Sequence, residues 1–161
     1  MQSLLKEIKV KKLNEEAIIP CYGRIGDAGL DLFTLEEIII NKNDTVVIPT
    51  GVAFELPANI EGSVRPRSGI SLNGCKNCFD LEGKSCSPYL RVQIGTIDSN
   101  YRGDIGIITY NQENYSVKIP KHTKLAQLVI SPVIITSLKL VDDISSTNRE
   151  YNGFGSSGLT I

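Results

Sequence analysis

Asp98 and Tyr101 are the two side chains of this sequence that are best placed to do chemistry together, because only two residues separate them. Residues 90–94 and 105–110 on either side contain strand-forming residues, so we predict a β-hairpin with residues 98–101 at its tip. There, a carboxylate that polarises water and a flat aromatic ring can converge on one small ligand. The alternative interpretation is an ordinary polar turn, since turns favour Asp and Asn.

Arg67, Ser68 and Gly69 form a candidate phosphate site, because they precede a short helix that we predict to begin near Ser68. Arginine binds phosphate through paired N–H groups, helix starts expose free backbone N–H groups, and glycine permits close approach of an anion. Gln127 is the polar residue of an apolar run, 124–130, and needs a partner that is either structural or a phosphate oxygen. The alternative for the first group is a solvated basic turn with Ser68 as the helix N-cap.

The C-terminal stretch 142–161 is rich in Ser, Asn and Gly, and we predict a flexible arm. Arg149 and the hydroxyls of Ser156 and Ser157 could fold over a phosphate, while Phe154 could stack on a planar base. Taken alone, the same composition is typical of a disordered glycine-serine tail.

Asp31 lies within a predicted strand, where aspartate is depleted. It is either a polar residue on the solvent face of the sheet or a carboxylate that orients a hydrated metal or an arginine.

The elements that must position these residues are short strands. Turn-forming residues recur about every ten positions and helical periodicity is nearly absent, which predicts a single all-β domain over residues 1–161, preferably a jelly roll of two packed sheets with one short helix. Further predicted strands lie at residues 8–11, 38–40, 45–48, 52–56, 115–119 and 133–141.

Composition narrows the class of protein. A net charge of −1 gives no sign of a nucleic-acid-binding surface, and no apolar run is long enough to span a membrane. No signal peptide is recognisable, so we expect a cytoplasmic protein, with a nuclear location possible in a eukaryotic or viral setting, and reduced cysteines.

Residues 72–88 are polar, and we predict a surface insertion without regular structure. Cys75, Cys78 and Cys86 give a C-x-x-C with a third cysteine, but a closed zinc site needs a fourth ligand. A reduced surface loop is therefore the favoured interpretation.

Five stretches together resemble, in order and over nearly the whole chain, the five sequence motifs of the trimeric dUTPases. They are residues 27–32, 66–70, 95–104, 124–129 and 149–158. The resemblance implies a homotrimer of jelly-roll subunits with active sites at subunit interfaces, hydrolysing dUTP to dUMP and pyrophosphate with Mg²⁺. Extra loops in some members bind other proteins, so 72–88 is a candidate for such a partner.

The resemblance also implies residue roles. Asp98 would hold the attacking water as general base, and Tyr101 would pack on the deoxyribose and exclude a 2′-hydroxyl. Asp31 would help to hold magnesium through water. Backbone groups around Val92, Thr96, Ile97 and Gly106 would read the uracil edge, and Phe154 would cover the base. The phosphates would be held by Arg67, Ser68, Gly69 and Gln127, and by Arg149, Gly155, Ser156 and Ser157 of the tail.

The chain departs from the family pattern at Lys124, where arginine is usual and where lysine cannot make a bidentate fork. Glu150 and Asn152 stand where glycines are usual, and Ser157 where threonine is commoner. Two rival functions remain: a dCTP deaminase of the same fold, which needs a further acid/base beside the nucleobase, and a non-enzymatic trimer that binds a regulatory protein.

Overall fold

The computed structural model describes residues 7–147. Within them the chain forms fourteen strands and one helix. In chain order these are β1 (Lys9–Lys12), β2 (Cys21–Tyr22), β3 (Gly29–Phe33), β4 (Ile38–Ile40), β5 (Thr45–Pro49), β6 (Val52–Glu55), β7 (Ile60–Pro66), α1 (Ser68–Asn73), β8 (Cys78–Phe79), β9 (Ser85–Cys86), β10 (Leu90–Val92), β11 (Gly95–Ile97), β12 (Gly106–Asn111), β13 (Val117–Ile119) and β14 (Lys124–Pro132).

The strands form four antiparallel sheets that surround one apolar core. The sheet orders are β1-β6, β10-β12-β5, β11-β7-β14-β3-β2 and β4-β13-β8-β9. The side chains of Ile40, Ile48, Ile107 and Leu128 contribute to the core from three of the sheets and are fully buried. The predicted all-β class with one short helix near residue 68 is confirmed for the described residues.

The β-strands alternate in burial as their period of two requires. In β12, Ile107, Thr109 and Asn111 face the core, while the residues between them are partly exposed. The buried Asn111 amide nitrogen donates to the carbonyl oxygens of Ile40, Asn41 and Tyr115, at 2.9 to 3.1 Å. These bonds satisfy a polar group that would otherwise oppose burial.

The predicted pairing of the two strands that flank Asp98 is confirmed, but the tight hairpin tip between them is wrong. β10 does pair with β12, with Val92 opposite Thr109, but the chain then leaves that pair. β11 joins the five-stranded sheet instead and places Gly95 opposite Val64 of β7. Alternation of side chains along a strand fixes which face is buried but not which neighbour the strand hydrogen bonds to.

Residues 72–88 are not the structureless surface loop that the sequence predicted. The segment begins inside α1 and contains β8 and β9, which extend the four-stranded sheet at its edge. Cys75 and Cys78 are buried in the core, so apolar thiols hold the segment against the domain. Whether the segment is an insertion relative to other proteins stays a prediction.

The predicted strand at 133–141 is also wrong. No strand is present between β14 and residue 147. Large apolar side chains in this stretch are almost fully exposed, among them Ile134, Leu138, Leu140 and Ile144. Their β-branched composition predicted a strand, but this stretch finds no neighbouring strand within residues 7–147 with which to pair.

No helix in the described part of the chain is long and apolar enough to cross a membrane.

Candidate active site

A buried carboxylate with two cationic partners lies at the centre of the site. Asp31 on β3 is only 6% exposed. Its Oδ1 accepts from Nε of Arg67 at 3.0 Å, and its Oδ2 lies 3.0 Å from Nζ of Lys124. β14 lies between β3 and β7, so the start of β14 and the residue after β7 both reach β3. The alternative of a solvent-face aspartate is therefore wrong, and Asp31 orients an arginine.

Lys124 joins this network by more than one contact. Its Nζ lies 5.5 Å from the centre of the Phe33 ring, which is a cation–π geometry. Its backbone carbonyl accepts from Nη1 of Arg67 at 3.0 Å. The Lys124 ammonium makes one ion-pair contact with Asp31, so this network is complete without the fork of an arginine. Arg67 is held through Nε and Nη1, and its Nη2 has no partner among the described residues.

Gln127 and Gly29 fit together across the β3–β14 pair. Gln127 Nε2 donates to the backbone oxygen of Pro66 at 2.9 Å, which fixes its amide next to Arg67. A Cβ atom at position 29 would overlap Oε1 of Gln127, so only glycine leaves space for this amide. The structural hydrogen bond expected for Gln127 is present, and the second N–H of its amide remains available to a ligand.

The start of α1 differs in one detail from the sequence prediction. Arg67, with extended φ and ψ, is the N-cap, and Ser68 is the first helical residue, so the alternative of Ser68 as the cap is wrong. The Ser68 side chain is exposed, and the position of a Cβ on Gly69 is open, with no atom within 4 Å.

These residues border one cavity of about 800 Å³, which we call the cationic cavity. It brings together predicted residues from three separate stretches of the sequence. Its lining contains four cationic side chains and only two carboxylates. Its lining includes Asp27, Gly29, Asp31, Arg67, Ser68, Gly69, Cys75, Lys76, Lys121, His122, Lys124 and Gln127. A local excess of positive charge in a chain of net charge −1 suits an anionic ligand.

Sequence reasoning missed Lys76, Lys121 and His122 in this lining. His122 adopts a left-handed backbone with φ of 61°, and its Nε2 lies 3.0 Å from the backbone oxygen of Glu16. The Lys121 ammonium contacts the Glu16 carboxylate at 2.7 Å and lowers the pKa of that carboxyl. The only feature of the sequence that marks Lys121 and His122 is the turn that follows Pro120. A turn in the sequence does not indicate which part of the protein surface it faces.

Asp98 borders a different cavity, of about 390 Å³, which we call the Asp98 cavity. Its lining is Asn59, Ile60, Glu61, Asp98, Ser99, Asn100, Val133 and Ile135. The Asp98 side chain is exposed, and its carboxylate has no hydrogen-bond partner within residues 7–147. It is thus open to water and to a ligand.

Tyr101 is positioned by its own loop. Its N–H donates to the backbone oxygen of Asp98 at 3.0 Å, and its hydroxyl donates to the backbone oxygen of Asp104 at 2.9 Å. A Cβ atom at Gly103 would overlap the Tyr101 hydroxyl, so a glycine is required beside the ring. One face of a half-exposed aromatic ring is therefore held ready next to the Asp98 turn.

Asp104 anchors this loop to the core, a role that sequence reasoning missed. Its Oδ1 accepts from the backbone N–H of Gly51 at 2.9 Å, from that of Thr50 at 3.3 Å and from the Thr50 hydroxyl at 3.2 Å. Aspartates are common in loops, so its type and position alone did not distinguish it.

The other residues that we predicted to read the base lie on β10, β11 and β12. Val92 is buried in β10, Thr96 and Ile97 lie on β11, and Gly106 begins β12. A Cβ at Gly106 would meet Val47 Cγ1 at 2.5 Å. Predicted residues Arg149, Phe154, Gly155, Ser156 and Ser157 lie outside the described residues.

The two cavities of one chain are far apart. Ile97 pairs with Gly62, so Asp98 lies beside Glu61 at one end of β7, while Arg67 follows the other end. Six residues of extended strand span about 20 Å. The cavities share no lining residue. Within one chain, Asp98 therefore does not face the Arg67 network.

The described residues contain no group of three or more His, Cys, Asp or Glu side chains arranged to hold a metal ion.

Comparisons with known proteins agree with this geometry. The family model described as dUTPase matches residues 15–158. The chain is 42% identical over 152 residues to a deoxyuridine 5′-triphosphate nucleotidohydrolase of Trichodesmium erythraeum, covering 94% of this chain and 99% of that protein.

Solved structures of dUTPases also match this chain, at lower sequence identity. The dUTPase of Staphylococcus bacteriophage 80alpha, solved with dUPNHPP, is 28% identical, with a TM-score of 0.82 and coverage of 95% of this chain and 99% of that one. An Asp-to-Asn variant of the dUTPase of S. aureus phage phi11, described with a structural Mg(II) ion, is 27% identical, with a TM-score of 0.73 and coverage of 86% and 98%. With a family model over most of its length, a relative above 40% identity and the same fold, the chain belongs to the dUTPase family.

Proposed function

We propose that this protein hydrolyses dUTP to dUMP and pyrophosphate, which limits uracil in DNA and supplies dUMP for thymidylate synthesis. One observation carries the proposal: residues from the first, second and fourth motifs converge on one cationic cavity, although they are distant in sequence. The relatives named above are deoxyuridine triphosphate nucleotidohydrolases.

In this proposal the cationic cavity holds the triphosphate. Arg67, fixed by Asp31 and by the carbonyl of Lys124, offers its free Nη2, and Gln127 offers its second amide N–H. Ser68 and Gly69 complete the cradle with an exposed hydroxyl and an open backbone. Donors that are already oriented bind an anion without a further cost of ordering their side chains, as Arg67 and Gln127 would here.

Asp98 is the proposed general base. Its open carboxylate accepts a proton from the attacking water, and the Tyr101 ring packs against the deoxyribose and leaves no room for a 2′-hydroxyl. The backbone near Val92, Thr96, Ile97 and Gly106 reads the uracil edge. Phosphoryl transfer needs an in-line water and charge neutralisation more than covalent chemistry from the protein. Asp98 would supply the positioned water.

A homotrimer with active sites between subunits is part of the proposal. About 20 Å of strand separates Asp98 from Arg67 in one chain, so a second subunit must bring its Asp98 to the cationic cavity of the first. The exposed apolar side chains of Ile134, Leu138, Leu140 and Ile144 favour burial against another copy. Tail residues Arg149, Phe154, Gly155, Ser156 and Ser157 would close over the site.

The residues present fit a magnesium ion that the triphosphate and water hold. Each oxygen of Asp31 already has a cationic partner at 3.0 Å, so Asp31 would reach the ion only through water, using its remaining lone pairs. Magnesium usually keeps several waters and binds mainly to substrate phosphates. When bound, it neutralises charge on the triphosphate.

A cytoplasmic location and a protein partner at residues 72–88 stay predictions. For the latter, the longest exposed run of the segment is residues 81–85, at the turn that joins β8 to β9.

The experiment that tests the function is pyrophosphate release from the full chain with magnesium, with dUTP, dTTP, dCTP and UTP in parallel. We expect hydrolysis of dUTP alone, and its loss in Asp98→Asn. Asp44→Asn is the matched control, because Asp44 is an exposed aspartate at another turn. Ammonia released from dCTP would instead support the deaminase, and a folded trimer without any turnover would support the protein-binding alternative.

A further inference from the structure

We propose that Cys75 and Cys78 are a redox-active pair in the wall of the cationic cavity, which a hydroperoxide converts into a disulfide. Nothing in the proposed hydrolysis uses these thiols. The bond itself does not depend on the proposed function, whereas its shielding by nucleotide does.

The backbone already brings the two cysteines within bonding range. Residues 76 and 77 form a turn between them, with Asn77 in the left-handed region at φ of 64°. The α-carbons at the ends of a β-turn lie less than about 7 Å apart, and disulfides span about 4.4 to 6.8 Å. The N–H of Cys75 donates to Pro88 at 2.8 Å, which fixes one side of the turn.

The thiols contact each other inside the protein. Cys75 is 1% exposed and Cys78 is fully buried. A hydrogen bond from Cys78 lowers the pKa of Cys75 against the opposing effect of burial, and the Arg67 guanidinium lowers it further. The same bond raises the pKa of Cys78. Cys75 borders the cationic cavity and Cys78 does not, so Cys75 is the nucleophile and Cys78 the resolving thiol.

The reaction balances with a hydroperoxide as oxidant. The Cys75 thiolate attacks one oxygen of hydrogen peroxide, the O–O bond breaks, and hydroxide leaves as a sulfenic acid forms. The Cys78 sulfur then attacks the Cys75 sulfur, and the sulfenic oxygen leaves as water with the Cys78 proton. Two thiols are oxidised and one peroxide is reduced to water.

Cys86 is the competing partner, because it lies directly opposite Cys78 in the β8–β9 pair. Burial raises the pKa of Cys86, and its thiol contacts the Tyr115 hydroxyl instead of joining the Cys75–Cys78 hydrogen bond. The interaction between Cys75 and Cys78 thus favours the bond within the turn.

Cys75 is almost fully buried, and the wall of the cationic cavity is the side from which an oxidant would reach it. Cys75 lines the same space as Arg67, Ser68 and Gly69, so a triphosphate in that space would cover it. Nucleotide binding and oxidation should therefore exclude each other. An oxidised pair would also stiffen the chain directly after α1, the helix that begins at the proposed phosphate cradle.

The test uses the full chain, reduced and then exposed to hydrogen peroxide, with thiol counting and non-reducing peptide mapping. In a Cys21→Ser background we expect free thiols to fall from three to one, and dithiothreitol to restore three. Trypsin cleaves after Lys76, so a Cys75–Cys78 bond would link two peptides that are otherwise separate. Cys86→Ser should keep this link, and Cys78→Ser should lose it.

A Cys21→Ser background removes the exposed thiol, so that a bond between chains cannot imitate the result. A mapped Cys78–Cys86 bond would overturn the proposal. So would an unchanged Cys75–Cys78 pair under peroxide that oxidises Cys21 in the native chain.

Shielding is tested with dUPNHPP and magnesium, with binding measured separately by calorimetry. At ten times its Kd, the nucleotide should slow disulfide formation about tenfold, because only the open cavity reacts. An unchanged rate with bound nucleotide would refute the shielding. Absence of nucleotide binding would refute the proposed function while the disulfide stands on the peptide map.

Discussion

Replacing Asp31 with asparagine should both destabilise the protein and weaken substrate binding. The change removes a buried charge and leaves Arg67 and Lys124 without their shared partner. Removing one member of a buried ion pair costs about 3–5 kcal/mol, and an exposed pair contributes at most about 1 kcal/mol. Since Arg67 is one-third exposed and Lys124 about half exposed, we expect the free energy of unfolding to fall by about 2 kcal/mol. For a chain of this size, that lowers the Tm by about 4–8 °C.

The effect on activity follows from the freed guanidinium. A hydrogen bond to a charged group contributes about 1.5–3 kcal/mol, so kcat/KM for dUTP should fall by about 10- to 150-fold. Most of the fall should appear in KM, because Arg67 would hold the phosphates in the ground state and the transition state alike. Calorimetry and steady-state kinetics on the same preparation measure both quantities.

Three control variants separate this effect from a general loss of charge. Asp27→Asn changes a carboxylate in the same cavity that has no ion pair within residues 7–147, and its Tm and KM should remain near those of the native chain. Lys124→Arg should also be close to native, whereas Lys124→Met should fall between native and Asp31→Asn. If Asp31→Asn behaves like Asp27→Asn, Asp31 does not hold Arg67 and the reasoning fails.

Three further substitutions test close contacts. Gly29→Ala should displace the Gln127 amide and raise KM for dUTP without a comparable loss of Tm, as kinetics and calorimetry together would show. Gly103→Ala should displace the Tyr101 ring, so the ratio of kcat/KM for dUTP to that for UTP should fall by roughly tenfold, or about 1.4 kcal/mol. Asp104→Ala leaves two backbone N–H groups without an acceptor, which should cost about 1–3 kcal/mol and lower the Tm by about 2–4 °C for each kcal/mol.

Gly95→Ala is the control for the two glycine substitutions, because a Cβ there makes only an ordinary contact, 3.8 Å from Val64 Cβ. A rise in KM for Gly95→Ala as large as for Gly29→Ala would show that backbone freedom, and not the Gln127 contact, governs the effect. For Asp104, an unchanged Tm would mean that water satisfies the freed N–H groups.

Local sequence patterns predicted the elements better than their pairing. The start of α1 at Ser68 and the strand character of β12 and β14 followed from turn residues and branched side chains. The transfer of β11 to the sheet of β7 could not be predicted, because a strand's partner depends on residues far away in sequence. The strand expected at 133–141 failed for the same reason, since strand propensity does not supply a neighbouring strand.

At the site as well, the sequence indicated individual residues better than the contacts between them. An aspartate in a strand predicted an unusual role for Asp31, and the structure identifies its partners as Arg67 and Lys124. Lysine at position 124, where arginine is usual, suggested a lost interaction. The sequence does not show that the Asp31 carboxylate lies next to this side chain and needs only one donor from it. The burial of Cys75 was missed because a polar, cysteine-bearing segment has no periodic pattern from which contact with the core can be inferred.

The contact between Gly29 and Gln127 also restricts how this sequence can evolve. Any side chain at position 29 displaces the Gln127 amide, whereas a shorter residue at 127 removes the Oε1 contact and leaves only its own Cβ, 3.0 Å from a Cβ at position 29. The two positions therefore behave as a single epistatic unit, in which the order of substitutions matters. A lineage that keeps its phosphate cradle intact cannot begin that path at position 29, and one that begins at position 127 must first replace the amide by another donor.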